Sequence, residues 1–168
     1  MEVELKRLSR SNGEEEYRMV QEMEPGENGF VNGLYANDRS GFDAKIIKYV
    51  EMSDERNVPP HLVPQTTYWL YMDGLPVGYG KLRHCLNDNL RRHGGHIGYA
   101  IRPTCRGRGF GKILLGELLK EAFALEIREA LLTCDETNAA SRKIIESHNG
   151  VLAGIREGTC AYWVQTKA

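Results

Sequence analysis

The densest concentration of chemistry-bearing residues is the run Arg106-Gly107-Arg108-Gly109-Phe110-Gly111-Lys112. Glycines alternate with cations there, directly before a segment of helical apolar spacing. Glycines leave the backbone bare, and the first turn of a helix has N–H groups without intrahelical partners. The run therefore reads as a cradle for a pyrophosphate. Arg106, Arg108 and Lys112 add positive charge nearby, and the helix dipole adds about 0.3–1 kcal/mol toward an anion at that end. Two other phosphate loops are excluded. No Lys-Ser/Thr pair follows the last glycine, and Gly107-x-Gly109-x-Gly111 lacks the final two-residue gap of a dinucleotide fingerprint. A plain glycine-rich loop is the bland alternative; the strand before the run and the helix after it argue for a site.

Those flanking elements must position the turn. Ile97 to Ile101 is a short apolar strand closed by Pro103. Alternation puts His96, Gly98 and Ala100 on one face and Ile97, Tyr99 and Ile101 on the other. After the turn, Phe110, Leu114, Leu118 and Ala122 form one row of a helix, and Leu115, Leu119 and Phe123 the next. Upstream, Val3 to Leu8 reads as a strand. Ser11 with Glu14 reads as a capping box, opening a helix that buries Tyr17, Val20 and Met19 or Met23. Gly29 to Gly33 is turn-rich, and Phe42, Ile46, Tyr49 and Val50 mark a second helix. Thr66 to Met72 and Val77 to Cys85 form a hairpin across Asp73-Gly74. Gly78 and Gly80 signal a bulge or a close backbone approach. Asn87 to Gly95 reads as a polar loop. Ala130 to Cys134 is a strand, and Asn138 to His148 a helix stopped by Asn149-Gly150. A last strand pair turns at Glu157-Gly158. This order predicts an α/β fold with a mixed, mostly antiparallel sheet flanked by helices.

The spacing Arg106-x-x-Gly109-x-Gly111 resembles the acyl-CoA signature of the GCN5-related N-acetyltransferases (GNAT). The likeness covers about residues 66–165. It includes the strand Leu131-Leu132-Thr133-Cys134 and the helix opening Asp135-Glu136-Thr137-Asn138-Ala139-Ala140-Ser141. Leu82-Arg83-His84, Gly94 to Tyr99 and Thr133-Cys134-Asp135 resemble a poorly characterised bacterial branch of predicted acetyltransferases. The resemblance implies a splayed strand pair at the acyl-CoA site and acetyl-CoA as cosubstrate, with no metal. It implies cofactor contacts from Tyr99, Ala100 and Ile101, from Arg106, Gly107, Arg108, Gly109, Phe110, Gly111 and Lys112, and from Asn138 and Ser141. Backbone N–H groups near Tyr99 to Ile101 would polarise the thioester carbonyl.

The catalytic pair departs from the family's common pattern. Many members carry an acidic tyrosine seven residues after the Asn; here that position is Ile145, which cannot donate a proton. Ser141 is the nearest hydroxyl, and it also suits a helix first turn. His96 is the base candidate, acting through a water; a hydrogen bond inside the sheet is its structural alternative. His93-x-x-His96 spans flexible glycines with no third ligand nearby, which disfavours a metal. Arg91-Arg92-His93 reads as a solvated basic loop. Cys134 falls beside the expected acetyl site and reads as a buried, inert thiol.

The 168 residues suit a single N-acetyltransferase domain over 1–168, and the formal charge of −1 disfavours a nucleic-acid partner. No apolar run approaches the ~20 residues of a membrane span. Four scattered cysteines and an N-terminus without an apolar signal core favour reduced thiols and a cytoplasmic location. The expected reaction is acetyl transfer to a primary amine of a small molecule, amino acid or peptide. A non-catalytic acyl-CoA-binding or regulatory module is the alternative, favoured by the missing tyrosine. The final strand pair could form the edge of a homodimer.

Overall fold

The structure, a computed structural model, describes residues 1–27 and 29–168. The first strand, β1 (Val3–Arg7), is followed by α1 (Glu14–Glu22), the two-residue strands β2 (Gly26–Glu27) and β3 (Phe30–Val31), and α2 (Arg39–Glu51). Then come the hairpin β4 (Gln65–Met72) and β5 (Leu75–Arg83), the short helix α3 (Asp88–Arg92) and the strand β6 (Ile97–Ile101). The second half runs α4 (Phe110–Ala124), β7 (Glu129–Asp135), α5 (Ala139–Ser147), β8 (Val151–Arg156) and β9 (Thr159–Gln165).

The strands form two sheets rather than one, in the orders β1-β4-β5-β6 and β7-β9-β8, with β2 and β3 as a separate hairpin. Their ladders are antiparallel. The division falls between β6 and β7, as the family resemblance implied. β4 is buried along its whole length, so it reads as an unbroken run of β-branched and aromatic residues without alternation. Asp73 and Gly74 both take positive φ, the geometry that a two-residue hairpin turn requires.

Packing on the two faces separates into two clusters. On one face, α4 buries Phe110, Leu114, Leu115, Leu118, Leu119 and Ala122 against β5, β6 and β7. Each large apolar side chain contributes roughly 1.5–3 kcal/mol on burial. Gly80 explains how the helix seats so closely: a Cβ there would collide with Leu118. Gly80 is therefore a close approach, while the bulge falls beside Gly78: Leu70 pairs with Gly78 and Tyr71 with Pro76, leaving Val77 as the extra residue. The other face holds Met19, Val20, Leu34, Phe42, Ile46, Trp69 and Tyr79 beneath α1 and α2.

Two local readings need correction. The α1 cap is Gly13, not Ser11. The Glu16 carboxylate accepts from the Gly13 N–H at 3.1 Å, so the box is displaced by two residues along a polar stretch where several registers are chemically alike. The segment Asn87 to Gly95 is not only loop. Asn87 caps α3, its side chain accepting from the Leu90 N–H at 2.9 Å.

Candidate active site

His96 sets where the two sheets part. Its backbone N–H donates to the Leu131 carbonyl at 2.7 Å, and the Leu131 N–H donates back to His96 Nδ1 at 2.9 Å. The imidazole thus replaces the next rung of a ladder. Among the described residues no β6–β7 ladder follows it, and the strands splay. Arg83 N–H to His96 C=O and Arg102 N–H to Val77 C=O bracket the β5–β6 ladder. By alternation, Ala100 turns its backbone groups to β5, while Tyr99 and Ile101 turn theirs to the gap. The Ile101 carbonyl on that open edge accepts from Arg106 Nε at 3.1 Å. Of the three expected backbone contacts, Tyr99 and Ile101 therefore offer N–H groups, and Ala100 lines the site without one.

The gap opens into a cavity of about 820 Å³ that runs from β3 past β6 and β7 to the α4 N-terminus. At its far end the glycine turn has the expected form. Gly107 and Gly109 sit at φ +77 and +82, a conformation that side chains rarely adopt, and Cβ atoms there would meet open space. No protein acceptor takes the N–H groups of Gly107 to Lys112 among the described residues, so these donors are available to an anion. These features fit a pyrophosphate-bearing cosubstrate. Gly111 has a different reason: its Cβ would lie 2.8 Å from Ile144 Cδ1, so it serves the contact between α4 and α5.

The cations of the turn divide. Lys112 lines the cavity. Arg106 lines it too, but its guanidinium is engaged by Glu27 at 2.5 Å, which ties the β2–β3 hairpin to the turn. Arg108 is not among the cavity-lining residues and lies over the Phe110 ring at 4.9 Å. Asn138 lines the cavity and also caps α5, its Oδ1 accepting from the Ser141 N–H at 3.2 Å; its amide hydrogens remain for a ligand.

Ser141, Tyr99 and Cys134 meet at the cavity wall. The Tyr99 hydroxyl is buried with no hydrogen bond of full geometry, and burial pushes its pKa up to about 12, offset in part by the nearby Ser141 hydroxyl. It is therefore protonated at neutral pH. Burial, with Cys160 beside it, pushes the Cys134 thiol up to about 11, which agrees with an inert thiol.

His96 does not line this cavity. It is 7% exposed, and burial together with Arg91 and Arg83 brings its pKa down to about 4. A neutral ring whose Nδ1 accepts from a backbone N–H holds the strands apart and is not placed to take a proton from an amine. The base assignment is corrected accordingly: in His93-x-x-His96 it is His93 that lines the cavity, as does the carboxylate residue Asp135. Alternation told which residues share a face with His96 but not which side of the sheet would be hollow.

Sequence reasoning missed the near end of the cavity, where Phe30, Val31, Lys81 and Arg83 line the wall. The hairpin roof is fixed by buried Asn32, which donates to Val20 and Glu24 carbonyls and accepts from the Tyr79 hydroxyl. A signal existed: charges at positions 81 and 83 interrupt a strand that is otherwise apolar, and buried charges are rare without a purpose.

Among the described residues, no group of three or more His, Cys, Asp or Glu could hold a metal, and no helix is long and apolar enough to cross a membrane. No curated protein is similar in sequence at a significant level. Solved structures that share the fold include the following three. RimL, a ribosomal L7/L12 alpha-N-protein acetyltransferase in complex with coenzyme A, matches at TM-score 0.72 and 14% identity over 98% of this chain and 94% of its own. The N-acetyltransferase PseH of Campylobacter jejuni, in complex with acetyl coenzyme A, matches at 0.66 and 12% over 99% and 100%. A GNAT-family acetyltransferase from Streptococcus pneumoniae matches at 0.65 and 16% over 99% and 100%. The model of the acetyltransferase (GNAT) family matches residues 32–150, which holds the glycine turn, the splayed strands and Asn138. The chain therefore belongs to the acetyltransferase (GNAT) family, whose cosubstrate is acetyl-CoA.

Proposed function

We propose that residues 1–168 act as one N-acetyltransferase domain that moves the acetyl group of acetyl-CoA to a primary amine of a small molecule, an amino acid or a peptide. The observation that carries this reading is the continuity of one cavity. It joins the free N–H groups of the glycine turn, the open edge of β6 and a chamber under Phe30. Bound acetyl-CoA supplies an acyl group activated as a thioester. The Gly107 to Lys112 N–H groups and the Lys112 ammonium hold its phosphates, and the Asn138 amide orients the arm. Tyr99 and Ile101 N–H groups donate toward the acyl oxygen, where charge develops.

Proton traffic is assigned by place. An attacking amine must first lose its ammonium proton, and His93 or Asp135 takes it through water at the cavity mouth. Ser141 holds the proton for the departing sulfur beside the Tyr99 hydroxyl, which stays protonated, and water entering through the cavity mouth returns a proton to Ser141, balancing the one that the base passes to solvent. This pair stands in for the tyrosine that Ile145 replaces. The outer edge of β8, with Val151, Leu152 and Ile155 exposed, is where a homodimer would form.

The test is a screen of primary amines that reports free CoA thiol. Amine-dependent release that falls at least tenfold in a folded Ser141→Ala, Tyr99→Phe double variant supports the reading. Tight acetyl-CoA binding without turnover on any amine would replace it with the non-catalytic acyl-CoA module.

A further inference from the structure

Two cations stand in the near wall of the cavity without a counter-charge. Lys81 is 5% exposed, and Arg83 is partly buried two residues along the same face of β5. Among the described residues, no carboxylate lies within 4.0 Å of either. The two carboxylate residues of the cavity wall serve elsewhere in the wall: Glu27 engages Arg106, and Asp135 ends β7.

Their hydrogen bonds are only partly used. One Lys81 hydrogen goes to the Val31 carbonyl at 2.6 Å, and the ammonium lies 4.8 Å from the Phe30 ring centre. Arg83 Nη1 reaches the Gly94 and Gly95 carbonyls at 3.1 and 3.4 Å. An ammonium has three donors and a guanidinium five, so most remain to be satisfied. Burial, and next the charge of Arg83, bring Lys81 down to about 7; burial lowers Arg83 as well, offset in part by Tyr49.

A fold retains such a pair at a cost unless something anionic arrives. Arg beside Lys in a low-dielectric wall suits a carboxylate or phosphate, which accepts charge-assisted bonds from both. The passage to the reaction site is open. Gly98, opposite Lys81, has no side chain, and a Cβ placed there would already stand 3.5 Å from Arg83 Nη1 and 3.9 Å from Phe30. Gly98 to Ile101 spans three residues, roughly 10 Å at ~3.3 Å per residue. The anion and the attacking nitrogen must therefore belong to one compact molecule.

We infer that Lys81 and Arg83 form an oxyanion subsite that selects, as acetyl acceptor, a compact amine carrying its own carboxylate or phosphate close to the amino group. This rests on the acetyl-transfer reading above. It narrows that reading from primary amines in general to anionic ones, with amino acids as the simplest members.

The experiment compares three acceptor series on the whole protein: amino acids, their neutral amides, and O-phosphoethanolamine against ethanolamine. Each is assayed by CoA-thiol release with the wild type, Lys81→Met and Arg83→Gln. The wild type is expected to favour the anionic member of a pair at least tenfold in kcat/KM. Lys81→Met should reduce that ratio at least tenfold while acetyl-CoA binding stays unchanged. The carboxylate and phosphate series tell which oxyanion is used. A wild type indifferent to charge, or variants that slow both members of a pair equally, would overturn the subsite and leave a purely structural role. Thermal-shift binding of the N-acetyl amino acids and their amides, with CoA present, separates the two readings. If no amine is acetylated but the anionic ligands alone stabilise the wild type and not Lys81→Met, the subsite stands and acetyl transfer falls. If neither binding nor turnover depends on charge, the subsite falls by itself.

Discussion

The two ends of the cavity are built to meet negative charge by opposite means. At the α4 end the donors are backbone N–H groups on an exposed turn, held by two left-handed glycines, with cations at the margin. At the β3 end the donors are two side-chain cations, buried Lys81 and partly buried Arg83, anchored on the Val31 and Gly94 carbonyls. Backbone donors carry no net charge and lose little on desolvation, so they can be held ready without a ligand. Buried cations are destabilised until an anion comes, and that penalty makes them discriminating. The first design suits a cosubstrate that every family member shares. The second suits an acceptor that distinguishes one member from another.

The sharpest way to break this comparison is to disable one end and read the other. Gly109→Val places a branched side chain at φ +82, where the turn is strained and the phosphate path narrows. Charge-assisted bonds are worth roughly 1.5–3 kcal/mol each, so acetyl-CoA affinity should drop on the order of a hundredfold. The preference for anionic over neutral acceptors should persist. Calorimetry with acetyl-CoA on the folded variant checks the first part; a native affinity there would remove the turn from the cofactor site. Gly111→Val is the poorer test, because Ile144 stands in the way and the fold itself should suffer.

His96 belongs to both ends, since it fixes where the gap begins. His96→Ala leaves the buried Leu131 N–H without an acceptor, which costs about 1–3 kcal/mol. Chemical denaturation should show that loss, with both acetyl-CoA and acceptor KM worsened. The pH dependence has a definite sign. The native imidazole is brought from 6.5 to about 4, so the unfolded chain binds more protons between those values. The contribution is complete above about 6.5, declines as pH falls, and is gone below about 4. A stability profile over that window that is identical in the wild type and the Ala variant would contradict the clasp.

Asn138→Ala should have the smallest effect. Loss of the α5 cap costs about 0.5–2 kcal/mol of stability, and loss of one amide contact about 0.5–1.5 kcal/mol of cosubstrate binding. Acetyl-CoA KM should rise several-fold with acceptor selectivity untouched. A change in acceptor selectivity instead would mean that the two ends are not separable.

The same asymmetry decided what could be read beforehand. The turn, its strand and its helix are contiguous over Ile97 to Ala122, so sequence spacing already is geometry there. Asn138 was legible for a similar reason, because a helix start has a local signature. His96 reads as a base from its place at the head of the key strand, but only the closing of the chain on Leu131 reveals that its ring is spent on a backbone N–H. Ser11 lost the α1 cap to Gly13 because neighbouring polar registers differ by less than the tertiary contacts that select among them. The α3 turn was hidden by its brevity.

By itself, the sequence determined the α/β order of elements, the glycine turn that marks the family, and the absence of the usual acidic tyrosine at Ile145. These are matters of period, spacing and residue type within one stretch of chain, where backbone geometry leaves few choices. Only the tertiary structure decided that Tyr99, Cys134 and Ser141 share a wall, that Lys81 and Arg83 face a hollow with no carboxylate beside them, and that Phe30 roofs it. Those contacts join residues far apart in sequence, and burial, which gives a charge or a hydroxyl its chemistry, does not exist until the sheets have packed.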